Sequence, residues 1–356
     1  MSGIFQDRRK SMIALGALAV VLVLLPFVVG AFGQAWVRIL NFTLIYVMLA
    51  LGLNVVVGVA GLLDLGYVAF YAVGAYTWSL LASTQFDLHY PFWILLPLGA
   101  FLAAVAGLLL GAPVLKLRGD YLAIVTLGFG EIVRILMNNF DKVSLPWSDT
   151  VYNITNGPRG ITGIDGMSFF GFKVRAGTEL FGLQVSGLQI YYFVFLFFAI
   201  LSVIGVWRLQ HSRLGRAWQA LREDEIAAKA MGINVRNIKL AAFAFGALTG
   251  GVAGGLFAAM QGFVSPESFG LLESVMVLAM VVLGGMGHIP GVILGAVLLS
   301  ALPEVIRYGA DENVQRSVFG FVLIAPEVLR NLIFSLAMIL IMLFKPAGLW
   351  PSPERK

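Results

Sequence analysis

Long apolar runs constrain this chain more than any other feature. Met12–Phe32, Val37–Val59 and Pro91–Leu115 are each long enough to cross a bilayer, whose hydrocarbon core of about 30 Å needs roughly 20 helical residues. Lipid offers the backbone no hydrogen bonds, so only helices and closed barrels span it. Barrel strands alternate with period two, and that alternation is absent here. With 59% hydrophobic and 12% charged residues, the chain carries more apolar surface than a water-soluble fold needs. The sequence predicts an all-α polytopic membrane protein. It has no cysteine, which excludes disulfides, thiolate metal sites and cysteine nucleophiles.

In order, the runs predict about ten transmembrane helices (nine to eleven). A tail (residues 1–11) precedes helices 1–5 in 12–140, the first read as a retained span. Residues 141–186 are the longest polar segment, with short strands expected around Phe169–Val174 and Leu180–Val185. Helix 6 occupies 187–207, a charged loop 208–239, helices 7–10 residues 240–344, and a second tail 345–356. The last run, Ser317–Phe344, is broken by Pro326. Fifteen of the 24 Lys and Arg fall on one side when both tails are cytoplasmic, so the excess of basic residues on the inside predicts N-in and C-in. The 141–186 loop then faces the periplasm of a Gram-negative cell. The net charge of +5 reflects this topology and not nucleic acid.

The charged loop is the main interruption. Between Arg208 and Lys239 stand seven basic residues against Glu223, Asp224 and Glu225. Leu214, Ala217, Leu221, Ala228 and Met231 fall at helical spacing, which predicts one helix over Gly215–Met231 stopped by Gly232. The next run carries Gly246, Gly250 and Gly254 at four-residue steps, with Gly251 and Gly255 alongside. That is the pattern of a membrane helix packed closely on its neighbours.

No phosphate-binding G-x-x-x-x-G-K-[ST] loop occurs, so any ATP-driven step needs a separate subunit. His89, His211 and His288 are scattered, and neither a metal site nor a cofactor is expected. Charges within membrane segments are costly and pair or line wet cavities. Asp64, crowded by Gly58, Gly61 and Gly66, reads either as an interfacial helix cap or as the cap of a broken or re-entrant helix beside a path. Glu131 and Arg134, three residues apart, can pair on one helical face. Gly61, Asp64, Gly66, Glu131, Arg134 and the turn glycines Gly284, Gly285 and Gly287 are the candidates for a translocation path.

GRAWQALREDEIAAKAMGI (215–233) resembles the cytoplasmic loop of the inner-membrane permeases of branched-chain amino acid ABC transporters. Ala227-Ala228, three residues and Gly232 match the Ala-Ala-x-x-x-Gly core by which importer permeases engage their ATPase. The glutamate directly preceding the alanines in that pattern is displaced to Glu225 by Ile226. GLLDLGYVAFYAVGAY (Gly61–Tyr76), LRGDYLAIVTLGFGEIVRI (Leu117–Ile135), NGPRGITGI (Asn156–Ile164), MVVLGGMGHIPGVILGA (Met280–Ala296) and LPEVIR (Leu302–Arg307) resemble the same family in the same order. The resemblance implies an inner-membrane permease and not an enzyme. It implies ATPase coupling through Gly215, Arg216, Leu221, Arg222, Glu223, Asp224, Glu225, Ala227, Ala228 and Gly232. It also implies a second homologous permease, two ATP-binding subunits and a periplasmic binding protein as partners. The alternatives are a permease for urea, short amides or another small polar solute, or an ion-coupled secondary transporter.

Overall fold

The computed structural model describes residues 2–114, 117, 119–144, 151–169, 172–180 and 183–309, and beyond them Val328, Leu332, Ser335, Leu336, Ile339, Leu343–Lys345 and Gly348–Trp350. Its helices are α1 (Ser2–Gly30), α2 (Gln34–Leu53), α3 (Val68–Leu81), α4 (Phe92–Val114), α5 (Asp120–Asn139) and α6 (Gly187–Gln210). They continue with α7 (Arg213–Glu223), α8 (Glu225–Ala230), α9 (Val235–Gln261), α10 (Leu271–Gly284) and α11 (Ile289–Gly309). Among the described residues six helical segments are long and apolar enough to cross a membrane, and three more, in α1, α3 and α11, are apolar but shorter. The expected last span, Ser317–Phe344, lies outside the described residues except at isolated positions.

The long helix α9 is central and packs most extensively on α4 and α3, then on α2. Its glycines make that possible. A methyl group at Gly254 would stand 2.1 Å from Tyr71 O, and one at Gly251 would stand 2.5 Å from Ala103 Cβ. Backbones approach this closely only where side chains are missing. Adjoining faces of α9 are thus pressed on α3 and on α4. Outside this core, α6 lies on α2, and α1 on α2 and α6. Pro26 cannot supply the amide that would bond Leu22 O within α1; the Tyr192 hydroxyl donates to that carbonyl instead, at 3.0 Å.

One end of the bundle carries residues 141–186. The expected strands are hairpins, Ser168–Phe169 with Phe172–Lys173 and Thr178–Leu180 with Leu183–Val185. Ile161–Thr162 pairs with Phe263–Val264, just past α9, and Trp78 Nε1 donates to Asp165 O at 3.1 Å. The other end carries α7, α8 and the turn between α10 and α11. Leu349 and Trp350 close on this turn: their amides donate to Leu283 O (2.7 Å) and Gly284 O (3.2 Å), and His288 Nδ1 bonds Trp350 O at 2.9 Å.

Two crossings of the bundle are only partly helical. The third expected span is non-helical over residues 60–66 at the α7–α8 end and helical as α3 beyond. The eighth, expected over Leu271–Leu283, enters from the opposite end and is helical as α10 from Leu271. Tyr46, which bonds Glu273 near the start of α10 at 2.7 Å, stands eight residues along α2 from Arg38. Arg38 bonds Gln261 at the end of α9. At 1.5 Å per residue, Glu273 in the first turn of α10 therefore stands roughly 12 Å inside the bundle.

Candidate coupling loop and translocation cavity

The chain leaves α6 through His211 and Ser212, whose hydroxyl accepts the Leu214 and Gly215 amides at 3.1 and 3.3 Å and so caps α7. Gly215 is required there, since a methyl group would fall 2.2 Å from Gln210 O. Trp218 and Leu221 are buried, and Trp218 Nε1 donates to Ile238 O at 2.8 Å. These contacts hold α7 against the start of α9.

The single helix expected over Gly215–Met231 is two helices. Asp224 leaves helical geometry, and its carboxylate accepts the Ile226 and Ala227 amides at 2.7 and 3.0 Å. Those amides would otherwise bond the carbonyls of Arg222 and Glu223, so the side chain ends α7 and starts α8 in one step. The helix α8 closes at Gly232, with φ of +82°. The Gly232 amide bonds Lys229 O and the Ile233 amide bonds Ala228 O, both at 3.1 Å, the paired bonds of a left-handed glycine cap. Asn234 then caps α9 through the Asn237 amide.

The two alanines face opposite ways. Ala228 is 3% exposed and packs on its own chain. Ala227 is on the exposed face with Ile226 (69% exposed) and Met231 (83%). Arg216, Glu223 and Asp224 are exposed as well. Glu225 instead pairs at 3.0 Å with Lys239, itself buried in α9. Leu221 and Arg222 also turn inward: Leu221 is buried, and Arg222 Nη1 donates to Gly58 O. A recess of about 1030 Å³ opens beside α8, walled by Ala112 and Pro113 of α4 and by Ile226, Lys229 and Arg236.

The broken third span adjoins this loop. The end of α2 widens into a π-helical turn over Asn54–Val59, and Gly61, with φ of +72°, lies against Arg222. Asp64 is 1% exposed, and its Oδ1 accepts the Gly66 amide at 2.9 Å. Thr126 Oγ1 of α5 accepts the Leu65 amide at 3.0 Å, and Ser274 Oγ of α10 donates to Leu65 O at 2.6 Å. Neighbouring helices thus satisfy a non-helical backbone inside an apolar bundle, as a membrane demands. Asp64 bonds within the break itself, at the Gly66 amide, ahead of Tyr67, the N-cap of α3, which has no side-chain capping bond.

A cavity of about 320 Å³ adjoins the break, lined by Gly66, Val68, Gly130, Glu131, Leu271 and Ser274. Arg134 Nε donates to Glu131 Oε1 at 3.0 Å, and Nη1 reaches Glu267 at 3.4 Å. Gly66 and Glu131 therefore meet at one cavity, while Arg134 ties α5 to the entry of α10. Gly284, Gly285 and Gly287 do not reach it. They form the turn at the α7–α8 end, where the Gly287 amide bonds Asn54 Oδ1 at 2.8 Å. Among the described residues no group of three His, Cys, Asp or Glu side chains is placed to hold a metal.

A family model described as the branched-chain amino acid transport system / permease component matches residues 35–343. The chain belongs to this permease family. The high-affinity branched-chain amino acid transport system permease protein LivM of Escherichia coli K12 is 46% identical over 96% of this chain and 75% of its own length. The protein of the same name from Salmonella typhimurium LT2 is 45% identical over the same shares. A probable branched-chain amino acid transport permease protein LivM from Methanocaldococcus jannaschii is 27% identical over 72% of this chain and 69% of its own length. No solved structure matches. Sequence reading of the permease missed Asn54, Thr126 and Ser274. Single polar residues in apolar runs are their only trace.

Proposed function

We propose that this chain is one permease half of an ABC importer for branched-chain amino acids in the inner membrane. A second homologous permease, two ATP-binding subunits and a periplasmic binding protein complete the assembly. The observation that carries this reading is the family match over nearly the whole described chain, joined to relatives whose names state that transport. The chain crosses the membrane ten times with both tails inside. Three features support that: α1 ends beside the start of α6, while α7–α8 and Gly348–Trp350 share the other end.

The ATPase docks on the face formed by Ile226, Ala227 and Met231, with Arg216, Glu223 and Asp224 around it. An apolar patch on a short, capped helix outside the bundle needs such a cover. Substrate passes the cavity beside residues 60–66, whose wall includes Glu131, the partner of Arg134; partly exposed charges on a membrane helix call for water or protein beside them, not lipid. Binding and hydrolysis of ATP in the partner subunits move the loop and switch access to this cavity. The test is uptake of labelled leucine together with co-purification of the ATPase after Ala227→Trp. Loss of either supports the docking face. Wild-type uptake and co-purification together would show that the face is misplaced.

A further inference from the structure

Three segments distant in sequence meet at the α7–α8 end: the last turn of α7, the π-helical end of α2 and the turn after α10. Arg222 Nη1 donates to Gly58 O, and its Cγ lies 2.8 Å from where a methyl group at Gly61 would stand. Gln210 Nε2, at the end of α6, donates to Gly287 O at 3.3 Å, and Gly287 N donates to Asn54 Oδ1 at 2.8 Å. A methyl group at Gly58 would be 2.5 Å from Gly287 N and 2.0 Å from Asn54 Oδ1, so these backbones approach closely around the Asn54 amide.

Charge and register both give this junction direction. The carbonyls ending α2 carry the negative end of its dipole, where a guanidinium is favoured. The amides of Ala60 and Leu62 bond Val55 O and Val56 O, each at 3.0 Å, one or two residues farther back than α-helical bonds reach. Such a turn returns to α-helical register by passing its extra residue into the adjoining chain. Here that chain is residues 60–66, which carry Asp64, Leu65 and Gly66 to the cavity.

We propose that Arg222 is a positioning residue: it grips the Gly58 carbonyl and carries movement of α7 into the register of the broken third span. This rests on the reading that the ATPase docks on α7 and α8. Arg222 itself faces the permease core and leaves the docking face to Ala227 and its neighbours.

The test uses the complete transporter in liposomes, with Arg222→Gln, Arg222→Lys and Ala227→Trp, and a thiol introduced by Leu63→Cys in this otherwise cysteine-free chain. Four quantities are read: ATPase co-purification, ATP hydrolysis, leucine taken up per ATP, and the nucleotide dependence of labelling at position 63. With Arg222→Gln, assembly and hydrolysis are expected to persist. Uptake per ATP falls about tenfold or more, as fits the loss of a charge-assisted hydrogen bond, and labelling stops responding to nucleotide. Arg222→Lys recovers part of the coupling, because an ammonium reaches one carbonyl but lacks the guanidinium fork. Unchanged uptake per ATP in Arg222→Gln, or labelling that still follows nucleotide, overturns the proposal. If Arg222→Gln does not assemble, Arg222→Lys decides: reduced uptake per ATP supports the proposal and a wild-type value overturns it. Should Ala227→Trp block assembly while Arg222→Gln couples normally, only this inference fails. Normal assembly and uptake in Ala227→Trp removes the docking reading instead.

Discussion

Replacing Gly232 with alanine isolates one energetic effect in the coupling loop. Gly232 ends α8 with φ of +82°, and a methyl group there would meet nothing within 4 Å. The substitution creates no clash and removes no contact. Its cost is the left-handed conformation alone, about 1–2 kcal/mol for an L-residue with a side chain. If the cap responds by opening, the Ile233 amide loses its bond to Ala228 O. The opening equilibrium then shifts by a factor of about 5–30, and α8 loosens beside the exposed Ala227. Hydrogen exchange at Ile233 in the purified permease reads this directly. Gly232→Asn is the control, because its short polar side chain tolerates the left-handed region better. Exchange should quicken in the order glycine, asparagine, alanine, with valine beyond alanine. Equal rates for alanine and asparagine would refute the reasoning, because backbone conformation is then not what holds the cap.

Gly254→Val should lower the thermal midpoint of the detergent-solubilised permease, since its side chain meets Tyr71 O and overpacking costs about 1–3 kcal/mol; Gly128→Ala, in open space within α5, should not lower it, because alanine is the better helix former. The hydrogen bonds that the charged His89 ring donates to the Asp165 and Asp87 carboxylates raise its pKa above the ordinary value. The stability it contributes is therefore fully present below the ordinary histidine pKa and is lost as pH rises through the raised one. The protection of the Asp165 amide, which bonds Ala82 O, taken relative to its intrinsic exchange rate, should fall over that rise, and His89→Gln should abolish this fall. Thr162→Cys and Glu223→Cys should react with an impermeant thiol reagent from opposite sides of the membrane; labelling from one side contradicts the ten-span topology.

Much of the architecture is legible in the residues. The glycine steps of α9 announce close packing because only a missing side chain allows it, and the structure places those glycines on α3 and α4. Asp64 among glycines announces an irregular stretch, and its side chain bonds within one. Inward and outward faces of the loop are harder to read. Ala227 and Ala228 are alike as residues, and 100° of helical rotation separates buried from exposed. The break at Asp224 is masked by apolar spacing that runs on across it, although an aspartate before two free amides is itself a start signal. The start of α10 at Leu271 is legible from the Pro266-Glu267-Ser268 link before it, but its depth in the bundle is not, because contacts such as Tyr46 with Glu273 set it. Arg222 reads as one more basic surface residue, since nothing local marks that it points at a carbonyl in α2.

The closure of the α10–α11 turn has a consequence for biosynthesis. His288 finds its backbone partner 62 positions downstream, at Trp350, and the carbonyls of Leu283 and Gly284 are answered by Leu349 and Trp350. At about 5–20 residues per second, a ribosome needs roughly 3–12 s to make that intervening chain. Until then the end of the bundle that meets Arg222 stays unfinished, and a nascent permease has its ladder of membrane helices before it has a closed junction at their base. Assembly with an ATPase that waits for this junction would select chains whose synthesis has passed Trp350.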